Sequence, residues 1–163
     1  MKKSILYTFL FVSFIASAQE STVDPDSLLT FAKKQLGTKY RYAQSSPKAG
    51  FDCSGFVYYV FGHFNIKVPR ASMDYEKTGK IISVDSCRKG DVIVFTGTNI
   101  KNRAPGHVGI IASNDGNGVV FIHSSSGHKR VGVILTNYTQ SPYYQKRFIK
   151  IVRLGAVQPT LLN

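Results

Sequence analysis

The stretch Phe51-Asp52-Cys53-Ser54-Gly55-Phe56-Val57-Tyr58-Tyr59-Val60-Phe61-Gly62-His63-Phe64 fixes the reading of the chain around it. Asp52 is a helix-capping residue, and Phe56, Val57, Val60, Phe61 and Phe64 follow at helical spacing, so residues 53–64 read as a helix. Apolar residues cover much of its circumference, and such a helix is buried. Cys53 falls in the first turn, where unpaired N–H groups and the positive end of the macrodipole point at the sulfur and favour a thiolate. The same N–H groups suit the oxyanion that forms when a sulfur attacks a carbonyl. Small Ser54 and Gly55 keep that end open to a substrate. Residues 51–56 taken alone also fit a buried structural cysteine at the start of a core helix.

Upstream, Asp24-Pro25 starts an earlier helix, with Leu28, Leu29, Ala32 and Leu36 at helical spacing until Gly37. Residues 38–50, rich in Tyr, Ser, Gln and Lys with a Pro at 47, form a loop. Downstream, residues 69–79 make a short, partly helical connection, and then the hydrophobic period changes. Residues 91–96, 107–112, 119–123, 131–135 and 148–154 are β-branched or aromatic runs separated by Gly, Asn, Ser and Pro, which makes five candidate strands. The link Asn114-Asp115-Gly116-Asn117-Gly118 tolerates positive φ and joins the second and third as a hairpin. Helices first and an antiparallel sheet afterwards define an α+β domain.

The first residues read as an export signal: Lys2 and Lys3 precede an apolar run from Ile5 to Ile15, and Ala16-Ser17-Ala18 supplies a cleavage site before Gln19. Residues 1–18 are thus a signal peptide and residues 19–163 a single domain, secreted or periplasmic, with no membrane span. Removal of the leader with its two lysines lowers the formal charge from +12 to +10, a balance that favours an anionic partner. No motif that reads RNA or DNA is present, so no nucleic acid is expected. Cys87 precedes the basic turn Arg88-Lys89-Gly90 and reads as a bystander, unpaired with Cys53.

A nucleophilic thiol needs an imidazole to take its proton and later protonate a leaving amine. His107 opens the apolar run Gly106-His107-Val108-Gly109-Ile110-Ile111, where strand alternation projects its ring from one face and the flanking glycines leave room beside it. His123 ends the run Val119-Val120-Phe121-Ile122-His123. Pairing of the two runs through the Asn-Asp-Gly turn brings the histidines together, so that His123 orients His107 through its far nitrogen. His63, late in the apolar helix, and His128, in a polar loop, are not candidates. A zinc centre on Cys53, His107 and His123 is the competing chemistry, but the usual short ligand spacings are missing.

Six blocks in series, within residues 26–154, resemble the NlpC/P60 domain in order and spacing. They are Leu36-Gly37-Thr38-Lys39-Tyr40-Arg41-Tyr42, Phe51-Asp52-Cys53-Ser54-Gly55-Phe56-Val57, Val68-Pro69-Arg70-Ala71-Ser72, Lys89-Gly90-Asp91-Val92-Ile93-Val94-Phe95, Gly106-His107-Val108-Gly109-Ile110 and Phe121-Ile122-His123-Ser124-Ser125. The resemblance implies a papain-like α+β fold, with N-terminal helices packed on a five- to six-stranded antiparallel sheet. It also implies a cysteine peptidase hydrolysing peptidoglycan stem peptides, typically between γ-D-glutamate and the L-centre of a diamino acid, without metal or cofactor. Cys53 is then the nucleophile, His107 the base and His123 the third member. Tyr40 matches a tyrosine beside the nucleophile that binds oxyanion or substrate, and Asp52 and Ser54 match positions that contact the substrate's free amine. After Tyr42 the family usually shows Gly-Gly, whereas Ala43-Gln44 stand here, with an apparent extra residue before Cys53. The alternatives are a thiol amidase or acyltransferase on the same fold, and a non-catalytic basic wall-binding domain.

Overall fold

The computed structural model describes residues 22–127 and 130–157. The leader read at residues 1–18 and His128 lie outside them. Helix α1 (Pro25–Lys33) starts as its sequence requires: Asp24 accepts from the Ser27 N–H at 2.9 Å, and Leu28, Leu29 and Ala32 face the core. It stops before Gly37, and residues 34–37 continue as turns. Residues 38–50 carry one short ladder, β1 (Ser45–Ser46) on β2 (Gly50–Phe51). Helix α2 (Cys53–His63) comes directly after it, and Phe56, Val57, Val60 and Phe61 are fully buried. His63, at its end, stacks on the Phe31 ring with centroids 3.7 Å apart, an exposed packing role.

A 3-10 helix (Ser72–Lys77) leads to a six-stranded antiparallel sheet of β3 (Lys80–Ile82), β4 (Val92–Thr96), β5 (Pro105–Asn114), β6 (Val119–Gly127), β7 (Arg130–Asn137) and β8 (Phe148–Arg153). Their order is β3-β8-β4-β5-β6-β7. All five expected strands are present, and the 114–118 link does join β5 to β6. The sixth strand, β3, is not foreseen from sequence because it spans three residues, two of them exposed, and has no buried face to set a period. Helix α3 (Pro142–Arg147) is likewise unforeseen, although Ser141-Pro142 is a start signal of the same kind as Asp24-Pro25.

Period-2 alternation gives the sheet two buried faces. Val92, Val94, Val108, Ile110 and Ile122 pack under α1 and α2, while Ile93, Phe95, Ile111 and Phe121 form a second cluster with Cys87, Tyr138, Tyr144 and Phe148. Cys53 and Cys87 lie in different clusters, both as free thiols. Among the described residues no helix is long and apolar enough to cross a membrane.

Two close backbone approaches bear on the positions of Cys53 and His107. A Cβ on Gly55 would lie 2.1 Å from the Gln44 carbonyl oxygen, so the loop before the helix sits directly on its first turn. Gly55 is therefore small to admit this loop, and not to admit a substrate. A Cβ on Gly106 would lie 2.4 Å from Gly97 Cα, where the β4–β5 ladder shifts register between Phe95 and Thr96. At Ala43, where the resemblance leads to an expectation of glycine, φ is +58°, a left-handed conformation that a Cβ disfavours. Ala43→Gly should raise stability by about 0.5–1 kcal/mol, read as a higher thermal midpoint. An unchanged or lower midpoint would count against this strain.

Candidate active site

Asp52 is extended (φ −82°, ψ 176°) and its Oδ1 accepts from the Gly55 N–H at 2.6 Å. The cap holds Cys53 at the first helical position, 8 % exposed. Its Sγ lies 4.0 Å from the carbonyl oxygen of Gly106, the residue before His107. Ser124 Oγ donates to the Phe51 carbonyl at 2.7 Å, and Tyr40 bridges to Phe51 in parallel. Both fasten the strand that leads into Cys53 to its surroundings.

The sequence-predicted histidines meet. His107 Nε2 and His123 Nδ1 are 2.9 Å apart with their rings at 88°, and His123 Nε2 is 2.9 Å from Thr136 Oγ1. Gly109 makes the approach possible, since a Cβ there would lie 3.0 Å from His123 Cβ and 2.7 Å from the Phe121 ring. With Nε2 committed to His123, His107 is left with Nδ1 as its free nitrogen. For Nδ1 to accept a proton, Nε2 must carry one, so the chain runs His107 Nε2–H to His123 Nδ1 and His123 Nε2–H to Thr136 Oγ1. Sequence reading misses Thr136 because it ends that strand at residue 135, whereas β7 reaches Asn137.

Aromatic rings enclose this pair. Phe121 stacks on His123 at 4.5 Å, and Tyr144 from α3 lies 5.8 Å from the His107 ring and 5.3 Å from that of His123. Burial first, and then the Arg147 guanidinium, hold His107 down at about 4. Burial and His107 hold His123 well below the ordinary imidazole value. Burial also pushes the Tyr144 hydroxyl up to about 12.

The thiol departs from the sequence expectation. Burial pushes Cys53 up, Asp52's charge adds to this, and the N–H groups of Val108, Ser54 and Cys53 itself pull only part of the way back. The helix N-terminus is present as read, but desolvation outweighs it. Burial thus disfavours the charged forms of both the thiol and the imidazole.

Cys53 stands where two arms of one groove meet. One arm, of about 470 Å3, is lined by His107, Thr96, Ser126, Tyr143, Tyr144 and Arg147; the other, of about 500 Å3, by Tyr42, Asp52, Ser54, Arg70, Ser72 and Met73. Tyr40, Cys53 and Gly106 belong to both. The Tyr40 hydroxyl is raised, by burial first and then by Cys53 and Asp52, against a hydrogen bond with Ser126. Asp52 is less available to a substrate than its position suggests, because Arg70 pairs with it through two bonds of 3.0 and 2.9 Å. Ser54 Oγ contacts both Asp52 Oδ1 and Arg70 Nη1 at 3.3 Å. Among the described residues no group of three or more His, Cys, Asp and Glu side chains is placed to hold a metal ion.

A cysteine at a helix start and the first of two histidines chained on an antiparallel sheet thus line one groove. The NlpC/P60 family model matches residues 37–153, and the chain belongs to that family. It is 31% identical over 141 residues to the Gamma-DL-glutamyl hydrolase of Bacillus subtilis strain 168, covering 86% of this chain and 32% of that protein. It is 34% identical over 113 residues to the Murein DD-endopeptidase MepS/Murein LD-carboxypeptidase of Escherichia coli K12, covering 69% of this chain and 53% of that one. The chain thus spans from 32% to 53% of the length of these relatives. A solved NlpC/P60 family protein from Bacillus cereus superposes with a TM-score of 0.70 at 28% identity, over 81% of this chain and 40% of that one.

The protonation states of the site are open to measurement. A neutral His107 acting as base predicts that alkylation of Cys53 by iodoacetamide falls off as pH drops through about 4, and that Arg147→Met moves that limb upward toward the ordinary histidine range. A limb near 6.5 in the parent protein would contradict the burial argument. Thr136→Val should slow alkylation about tenfold while Thr136→Ser restores it, because only the hydroxyl anchors His123.

Proposed function

We propose that this chain is an exported thiol peptidase of cell-wall peptides, working through Cys53, His107 and His123. The observation that carries the proposal is the 2.9 Å contact between the two histidines, which occupies His107 Nε2 and leaves its Nδ1 free, in a groove that His107 and Cys53 both line. Family membership and the name of the Escherichia relative, a murein endopeptidase and carboxypeptidase, support peptidoglycan stem peptides as the substrate class. The bond we assign, γ-D-glutamyl to the L-centre of a diamino acid, is the one that the resemblance of the six sequence blocks implies, and the name of the Bacillus relative, Gamma-DL-glutamyl hydrolase, agrees with its glutamyl side.

In this mechanism the Cys53 sulfur attacks the γ-carbonyl carbon as His107 Nδ1 takes the thiol proton. The carbonyl oxygen becomes an oxyanion beside the N–H groups of Cys53 and Ser54 and the Tyr40 hydroxyl. The tetrahedral species collapses, the C–N bond breaks, and His107 returns the proton to the leaving amine. Water, deprotonated by His107, then attacks the thioester, releasing the γ-carboxylate and restoring the thiol. His123, fixed by Thr136, keeps the His107 ring in the tautomer that this cycle needs. With residues 1–18 as a signal peptide and 19–163 as one catalytic domain, the reaction takes place in the periplasm or outside the cell.

Cys53→Ala should abolish release of cleaved stem peptides from purified muropeptides, with products identified by mass. Turnover persisting in that variant would overturn the assignment, and products cut at another bond would overturn the specificity.

A further inference from the structure

The groove arm that holds His107 must take the leaving side of the substrate, because His107 is the group that protonates the leaving amine. Of the residues lining this arm, Arg147 alone carries a permanent charge, and no acidic residue is among them. Its guanidinium is fixed: Nη1 donates to the Gly97 carbonyl, Nη2 to the Thr98 carbonyl at 2.8 Å, and the plane lies 4.3 Å over the Tyr143 ring. Ion pairs among the described residues join Arg70 to Asp52, Lys89 to Asp26 and Arg153 to Asp91, so Arg147 has no carboxylate partner there. A guanidinium has five N–H donors, and carbonyl oxygens occupy only part of that fork.

A second, independent feature lies in the same arm. Thr96 is 1 % exposed, lines the arm, and its Oγ1 has no hydrogen-bond partner. A buried hydroxyl without a partner is a standing cost, which a rotation of the side chain toward an acceptor seated in the arm removes. A fixed cation and an unused hydroxyl in one arm without acidic side chains match one ligand chemistry, the planar two-oxygen carboxylate.

Resting on the peptidase reading above, we infer that Arg147 and Thr96 form a leaving-side subsite for a free carboxylate on the residue that supplies the scissile amine. In a diamino acid such as diaminopimelate that carboxylate has two sources, the α-carboxylate at the L-centre and the carboxylate at the distal centre. Either lies on the same residue as the amine that His107 protonates, so the subsite both selects the leaving residue and aligns its nitrogen.

The test uses the mature chain and three tripeptides, L-Ala-γ-D-Glu-meso-diaminopimelate with both carboxylates free, with the distal one amidated, and with the L-centre one amidated. The parent protein should show kcat/KM at least about tenfold lower for one of the two amides, which identifies the source. That preference should shrink toward unity in Arg147→Met and fall in part in Arg147→Lys and Thr96→Val. Equal kcat/KM on all three tripeptides, or a preference that survives Arg147→Met, would overturn the subsite. Failure of the parent to cut any tripeptide would instead overturn the peptidase reading. The subsite is then read without turnover, by titrating labelled protein with meso-diaminopimelate and with its diamide. Shifts of the Arg147 Nε–H and Thr96 amide resonances with the diacid alone support it, and equal responses overturn it.

Discussion

Two carboxylate oxygens, those of Asp52, hold together the parts that the site needs. They accept the Gly55 N–H at 2.6 Å, the Arg70 fork at 3.0 and 2.9 Å and the Ser54 hydroxyl at 3.3 Å. The first bond opens α2 and so puts Cys53 in its first turn. The second ties the connection after α2 back to the helix start, and with it the wall formed by Ser72 and Met73. A carboxylate 7 % exposed tolerates its charge only because these donors surround it. The same charge discourages ionisation of the neighbouring thiol, so the residue that positions the sulfur also helps to keep it protonated.

The electrostatics give the site its working mode. A solvated cysteine and histidine side by side would exchange a proton readily, but here aromatic rings and the Arg147 charge keep His107 neutral, and burial keeps Cys53 a thiol. In the mechanism proposed above, attack and proton transfer are then concerted, and the chain through His123 to Thr136 stabilises the imidazolium as it forms. Tyr144 and Phe121 contribute by excluding water from that chain.

Much of this was legible in the sequence wherever a local rule sufficed. Asp52 as cap, Cys53 in the first turn and the paired strands of His107 and His123 all derive from capping and from period-2 alternation across a turn. The helix dipole at Cys53 was legible too, but its net effect was not, since residues far along the chain, such as Tyr75 and Val108, join Cys53 in one buried cluster. Arg147, Tyr144 and Thr96 were illegible for a related reason. Their importance lies in which strand end faces which helix, and α3 comes after Ser141-Pro142, a start signal too short to imply where the helix would dock. Gly55 shows the limit from the other side: its small size was noticed, but its purpose was set by a carbonyl eleven positions earlier in the sequence.

The strand order bears on how the molecule assembles. β3 and β4 are consecutive in the chain, yet β8 lies between them and pairs with both. Arg153 on β8 also reaches back to Asp91, with bonds of 2.8 Å to each carboxylate oxygen. The hairpins that carry His107, His123 and Thr136 join near neighbours in sequence and close at small entropic cost, whereas β8 must find its slot across a long loop. Arg147 immediately precedes that strand. Loop-closure entropy thus favours pairing of the strands that carry the imidazoles ahead of the strand that follows Arg147 and Tyr144, so the last wall of the groove depends on the most distant pairing in the sheet.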